Sequence, residues 1–194
     1  MDAISELSWA DRSTVWRLTH GRRASFDSIT GLVGNIKDQF YKEHPDVKDL
    51  SWNYGTTTIN GSTLPGTTLP LQDVVETVDK IVGNQHLTVS FGTRMAGTRV
   101  GIHVHESGGT TFVLDGTGGK GGIAATGRIT DFVQGAANNV CPVGTYYYMP
   151  SNIPMVAANL SDSDVRLMDI FLSPVGQPST TIIEPGYPGY NPPA

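Results

Sequence analysis

Residues 97–116 read GTRVGIHVHESGGTTFVLDG, and the reading of this stretch decides the fold. His103 and His105 sit one residue apart in a run that otherwise alternates as a β-strand does. In a strand, residues i and i+2 point to the same face, so both imidazoles are aimed into one cavity, about 7 Å apart along the backbone. Such a pair is half of a metal site or an acid–base couple. The remainder of the chain is read for how it serves this strand.

The chain has 194 residues, enough for one domain. Charged residues make up 16%, below the usual quarter, while Gly at 23 and Pro at 12 favour short strands joined by turns over a helical bundle. The net charge is −5 and the densest basic spot is only His20-Gly21-Arg22-Arg23, so a nucleic-acid footprint is absent. A single cysteine, Cys141, rules out an internal disulfide and fits a reducing compartment; with no His or Asp at a telling spacing it reads as structural. The N-terminal MDAISELSWADRS is acidic and lacks the apolar core of a signal peptide, and no run approaches a membrane span. A cytoplasmic protein with no membrane partner is expected.

Residues 1 to about 50 read as mostly helical, with Ile29, Leu32, Val33, Ile36 and Phe40 at i, i+3, i+4, i+7 spacing up to Pro45. Residues 51–70 read as a loop with a hairpin at Asn60-Gly61. The stretch LPLQDVVETVDKIVGN, 69–84, reads as a short amphipathic helix, with Pro70 in its first turn, Asp73 and Glu76 at its positive end and Gly83-Asn84 as its stop. From Gln85 the period changes to two. Strands are expected over 86–91, 99–105, 110–114, 128–134, 146–149, 156–159 and 165–172, which argues for a β-sandwich or barrel. The chain thus divides into a helical and loop extension packed on the barrel (1–84), the barrel core (85–175) and a Pro-rich tail (176–194) lying over a surface or a neighbouring subunit.

The spacing around the two histidines resembles the signature of the cupin superfamily. The first cupin motif, G-x5-H-x-H-x3-E-x6-G, is met by Gly97, His103, His105 and Gly116, with Gly109 where the carboxylate belongs. The second, G-x5-P-x-G-x2-H-x3-N, is met by Gly144, Pro150 and Asn159, with Asn152 in place of Gly and Met155 in place of His. The resemblance covers residues 85–173 and implies an all-β, jelly-roll-like β-barrel with additional N-terminal α-helices. It also implies one divalent metal ion inside the barrel, whether iron, manganese, nickel, zinc or copper, and a homodimer. Two of the three departures fall on metal ligands. Met155 offers a thioether, which suits copper(I) and suits hard divalent ions poorly.

Glu106, directly after His105, faces the other way in a regular strand, but Ser107-Gly108-Gly109 is able to end the strand and turn it inward. His103, His105 and Glu106 are therefore the expected catalytic and metal-binding residues. His86, on the preceding strand, is a lesser candidate for the same cavity, and Asp169, a carboxylate in an apolar strand, is the candidate for orienting an imidazole in a metal-free site. Alternation places Phe112, Leu114, Tyr147, Met149, Met155 and Ala157 in the wall around the substrate. The run 116–122, GTGGKGG, lacks phosphate-loop spacing and reads as an insertion between the motifs, placed to act as a lid. The expectation is a small-molecule enzyme, a metal-dependent oxygenase or a lyase or isomerase. Its alternatives are metal-free histidine acid–base chemistry and plain binding of a small organic ligand.

Overall fold

The computed structural model describes residues 3–47, 51–114 and 127–193. The expected insertion at 116–122 and Gly116 of the first motif lie outside them.

Two helices open the chain, α1 (Trp9–Thr19) and α2 (Phe26–Glu43). Each starts on a serine whose hydroxyl accepts a free backbone N–H of the first turn, Ser8 from Asp11 and Ser25 from Ser28, both at 3.1 Å. They pack on each other through Val15, Leu18, Ile29, Leu32 and Ile36, and Asn35 of α2 donates to the Asp11 carboxylate of α1 at 3.1 Å.

The β-structure comprises β1 (Thr67–Thr68), β2 (Gln72–Val82), β3 (Gln85–Arg94), β4 (Thr98–Arg99), β5 (His103–Val104), β6 (Gly109–Leu114), β7 (Arg128–Val133), β8 (Asn139–Pro142), β9 (Thr145–Met149), β10 (Met155–Asn159), β11 (Val165–Pro174) and β12 (Thr181–Ile182). One sheet runs β2-β3-β11-β6-β9. The other runs β1-β4-β10-β5-β12, with β7 on β10 and β8 on β7. The pairing is antiparallel except for β1 on β4. Among the described residues no strand pairing joins the two sheets, so they face each other as the two walls of a cupin-type barrel without closing into one ladder.

Three apolar layers result. The outer face of the five-stranded sheet, with Leu87, Val89, Phe112, Met168 and Ile170, is covered by α1 and α2. Between the sheets lie Val113, Tyr147, Met149, Ile129, Val133, Met155, Ala157 and Leu167. The outer face of the other sheet, with Ile102, Val104, Phe132, Val156 and Ala158, is covered by Ile59 and by Ile183 of the tail. Because both sheets are covered on both faces, β10 is buried at every position and β6 at all but its last.

One expectation is corrected. Residues 72–82 are not a helix but the long edge strand β2. Val74, Val75, Thr77, Val78, Ile81 and Val82 are β-branched, stiff at χ1 and suited to a pleated surface. Gly83-Asn84 is the two-residue turn of the β2–β3 hairpin, with Val82 opposite Gln85 and Gly83 at φ 61°, rather than a helix stop. The tail lies over a surface of the chain itself, the seven-stranded sheet: β12 pairs with β5, and the Ile183 N–H donates to the Ile102 carbonyl at 2.9 Å. The Asn60-Gly61 hairpin forms as expected, both residues at positive φ between the bridged Ile59 and Ser62.

Candidate active site

β5 and β10 lie side by side with His103 opposite Met155, so the key residues of both motifs share one wall. His103 and His105 are 5% and 3% exposed and face the space between the sheets. Their rings stand nearly perpendicular, at 84°, and the two Nε2 atoms are 3.0 Å apart.

The far side of each ring fixes its tautomer. His103 Nδ1 is 2.8 Å from the Gly101 carbonyl and His105 Nδ1 is 2.8 Å from the Ser179 carbonyl. A carbonyl only accepts, so both Nδ1 atoms carry hydrogen and donate. In the neutral rings both Nε2 atoms are therefore bare lone pairs directed at one point. Burial, in a site that also holds the Arg94 guanidinium, lowers the His103 pKa to about 4. Burial and the neighbouring His103 push His105 well below its ordinary value. Both rings are neutral at pH 7.

The cavity they face measures about 140 Å³. Tyr147, Met149, Met155 and Ala157 line it as expected. Phe112 and Leu114 do not. They point to the helix side of β6, where Phe112 is fully buried and Leu114 packs against the same cluster, and their neighbour Thr111 takes the inward position. A strand covered on both faces gives no polar–apolar alternation to set its phase. Glu106 is not brought to the histidine pair either: its carboxylate accepts from the Thr181 hydroxyl of β12. His86 lies at the start of β3, its Nε2 2.5 Å from the Asp79 carboxylate of β2, remote from the cavity lining.

Three polar groups join the histidines. Asp169 of β11 reaches the cavity but orients no imidazole; it accepts from the Thr111 hydroxyl at 2.6 Å. Burial raises its carboxyl above the usual range, against the opposing pull of Thr111 and Arg94. Tyr147 is buried and its hydroxyl pKa is raised well above the ordinary value by burial and by Asp169 and Asp131. Arg94, at the end of β3, is the residue that sequence reasoning missed. It is 3% exposed, lines the cavity, donates to the Leu69 carbonyl and leaves its Nε without a partner. Among the described residues the ion pairs are Arg99–Glu184 and His86–Asp79, so no carboxylate pairs with Arg94 directly. The inward phase of β3 was the available signal: an arginine two residues after Gly92 in a buried strand.

The histidine pair fits a metal ion as two neighbouring ligands. Two imidazole nitrogens about 2.1 Å from one ion and at right angles to each other stand about 3 Å apart, the separation found. The full cupin ligand set does not fit. A Cβ built at Gly109 would stand 2.6 Å from the Phe171 ring and 2.8 Å from the Met149 methyl, so no carboxylate has room there. Among the described residues no group of three His, Cys, Asp or Glu side chains is placed to hold an ion. The other departures have local reasons. Asn152 sits at φ 55°, a left-handed conformation that asparagine tolerates better than most residues and glycine best of all. Asn159, which keeps the motif residue, donates to the Arg94 and Ser163 carbonyls at 2.9 and 2.8 Å and so pins β10 to the end of β3.

No protein-family model and no curated protein matches the chain. Solved structures similar to it include the DMSP lyase DddQ from Ruegeria pomeroyi DSS-3, at 12% identity over 60% of this chain and 53% of that chain, with a TM-score of 0.46. A protein with a double-stranded β-helix domain from Klebsiella pneumoniae is 16% identical over 68% of this chain and 91% of that one, with a TM-score of 0.42. A Cupin 2 conserved barrel domain protein from Salinispora arenicola CNS-205 is 16% identical over 50% and 71%, with a TM-score of 0.38. The chain spans about half the length of the DMSP lyase it matches. No described helix is long and apolar enough to cross a membrane. Two facing antiparallel sheets, with His103 and Met155 of the two motifs in register on adjacent strands between them, give the chain the cupin-type fold that its sequence resemblance implies.

Proposed function

We propose that the chain is a small-molecule enzyme, an oxygenase, lyase or isomerase, with its active centre at His103 and His105, whose Nε2 atoms would hold a divalent metal ion. The observation that carries this reading is the 3.0 Å approach of two bare, neutral Nε2 atoms whose other ring nitrogens are committed to carbonyls. Two lone pairs so close repel each other, and a cation held by both would relieve that repulsion. A metal held there would supply Lewis acidity to a substrate oxygen.

The chain's own groups do the rest. Arg94 offers a fixed positive charge and a free Nε–H, so the substrate carries a small acidic group that docks on it. Asp169, held above the usual carboxylate range and bonded to Thr111, sits in the same cavity as a proton donor or acceptor. The cavity's 140 Å³ admits a molecule of a few heavy atoms, and its apolar lining of Met149, Met155, Leu167 and Phe171 keeps bulk water out.

Metal analysis by inductively coupled plasma mass spectrometry of tag-free protein, beside the His103→Ala/His105→Ala double variant, tests the reading. Near-stoichiometric metal that is lost in the folded variant is expected. Equal metal in both samples overturns it. The second reading, histidine and Asp169 acid–base catalysis without metal, is favoured by the lack of a third described ligand; turnover that survives exhaustive chelation would select it.

A further inference from the structure

A second cavity, of about 330 Å³, lies on the far side of Tyr147. Its walls are α2, the 3₁₀ turn Ala3–Glu6 and the strands β7 and β9, and Tyr147 lines both cavities. We propose that it binds a small organic ammonium ion, anchored on the Asp131 carboxylate.

Asp131 sits on β7 between Ile129 and Val133, both of which belong to the core between the sheets. It is 2% exposed, and its Oδ1 has no hydrogen-bond partner. An orphaned carboxyl at a core position is costly, and a native structure keeps one for a reason. The groups around it include no lysine or arginine. They are Glu6 of the 3₁₀ turn, Glu43 of α2, His44 at the helix's C-terminal cap, Cys141 of β8 and Tyr147 of β9. An anion has no partner in such a cavity.

The rest of the lining selects among cations. Phe40, Tyr146, Tyr147 and Tyr148 line it, and aromatic rings attract an organic cation. A metal ion needs several hard ligands converging on one point, and among the described residues no three acidic, histidine or cysteine side chains do so. An ammonium group needs only one buried carboxylate, N–H acceptors and an aromatic wall. Asp131 provides the first, the rim glutamates Glu6 and Glu43 the second, and Tyr147 of the between-sheet core together with Phe40 of α2 the third. Burial holds the empty Asp131 carboxyl in its protonated form, so a bound cation releases that proton.

The test is isothermal titration calorimetry of the full chain with n-propylammonium chloride, against 1-propanol and sodium propionate at matched ionic strength. Saturable binding of the ammonium alone is expected, with release of up to one proton read from the enthalpy in buffers of different ionisation heat. Asp131→Asn, which imitates the neutral acid and so preserves the fold, is expected to weaken binding at least tenfold and to abolish the proton release. Tyr146→Leu, at a half-buried position of the lining, is expected to weaken it about threefold. The His103→Ala/His105→Ala variant should bind the ammonium unchanged, which separates this site from the catalytic one. No saturable binding, equal binding of propanol, or an Asp131→Asn variant with wild-type affinity would each overturn the proposal.

Discussion

Phe171 occupies the space that a side chain at position 109 would need: a Cβ on Gly109 would lie 2.6 and 2.7 Å from two of its ring carbons. The same ring leans on His105, centroid to centroid 5.0 Å. An apolar ring thus stands where the cupin signature has a carboxylate ligand, and it fixes one of the two imidazoles by packing rather than by charge.

Restoring the signature residue alone should therefore fail. Gly109→Glu is expected to cost about 3 kcal/mol in denaturant unfolding, the upper end for overpacking a core, and to add no metal affinity. Gly109→Glu combined with Phe171→Ala opens the space and should bind metal more tightly than either single change. A single Gly109→Glu variant as stable as the wild type would contradict the packing described here.

Met155 offers the better route. It is 1% exposed, lines the cavity and pairs across the strands with His103. Met155→His keeps the volume and puts a third imidazole beside the pair. Zinc or nickel affinity, measured by competition with a chromophoric chelator, is expected to rise at least tenfold. No gain would show that position 155 does not reach the ion.

The histidines also make stability depend on pH. Unfolded, His103 takes up a proton near pH 6.5; folded, it resists doing so down to about 4. Its contribution is fully present above pH 6.5 and is lost as the pH falls towards 4, a loss of about 3 kcal/mol for the metal-free protein. His105 adds to the loss in the same direction. The raised carboxyls of Asp131 and Asp169 act oppositely, since their protonation on acidification favours the folded state. Comparing denaturant midpoints of wild type and His103→Ala at pH 7 and pH 4.5 isolates the histidine. The variant should lose less stability over that interval, and parallel losses would refute the assignment.

The tail is held by one ion pair. Both terminal nitrogens of Arg99 reach the Glu184 carboxylate at 2.7 Å, and the Ile102 N–H donates to the same carboxylate at 2.7 Å. Burial works against the charged form of Glu184, but these three bonds and the Arg99 charge prevail and hold its pKa below the ordinary value. Glu184→Gln is expected to cost about 2 kcal/mol at pH 7. The cost should shrink as the pH falls through the carboxylate range, because protonation has by then removed the charge from the wild type as well. Unfolding at pH 7 and pH 3.5 reads it out. Gly101, whose Cβ would stand 2.5 Å from the Tyr187 ring, should tolerate alanine no better.

Much of this was legible from residue order. Two histidines at i and i+2 in a strand predicted convergent imidazoles, and six of the seven strands expected from Gln85 onward fall within three residues of the observed bounds, while 99–105 breaks into β4 and β5 and β8 was not expected. Asn60-Gly61 and the apolar rhythm of α2 were equally plain. The failures share a cause. Where a strand is covered on both faces, as β6 is, the apolar pattern has no phase, so Phe112 and Thr111 exchange roles unseen. Where a strand is exposed along most of its length, as β2 is, spaced valines and acidic residues imitate an amphipathic helix. Arg94 and the carbonyl of Ser179 were invisible for another reason: their part in the site depends on which distant segments meet, and no local pattern carries that.

The hydrogen bond from His105 to the Ser179 carbonyl has a consequence for biosynthesis. The barrel strands and both imidazoles leave the ribosome before residues 179–184 do, so in a nascent chain arrested after β11 His105 lacks its Ser179 acceptor and has only the packing of Phe171 to hold it. The segment that follows β11 supplies that acceptor, lays β12 along β5 and locks itself with Glu184. The hydrogen-bonded pair is thus completed only once translation has passed the barrel strands, and a fragment cut between β11 and Ser179 would lack the carbonyl that fixes the His105 tautomer.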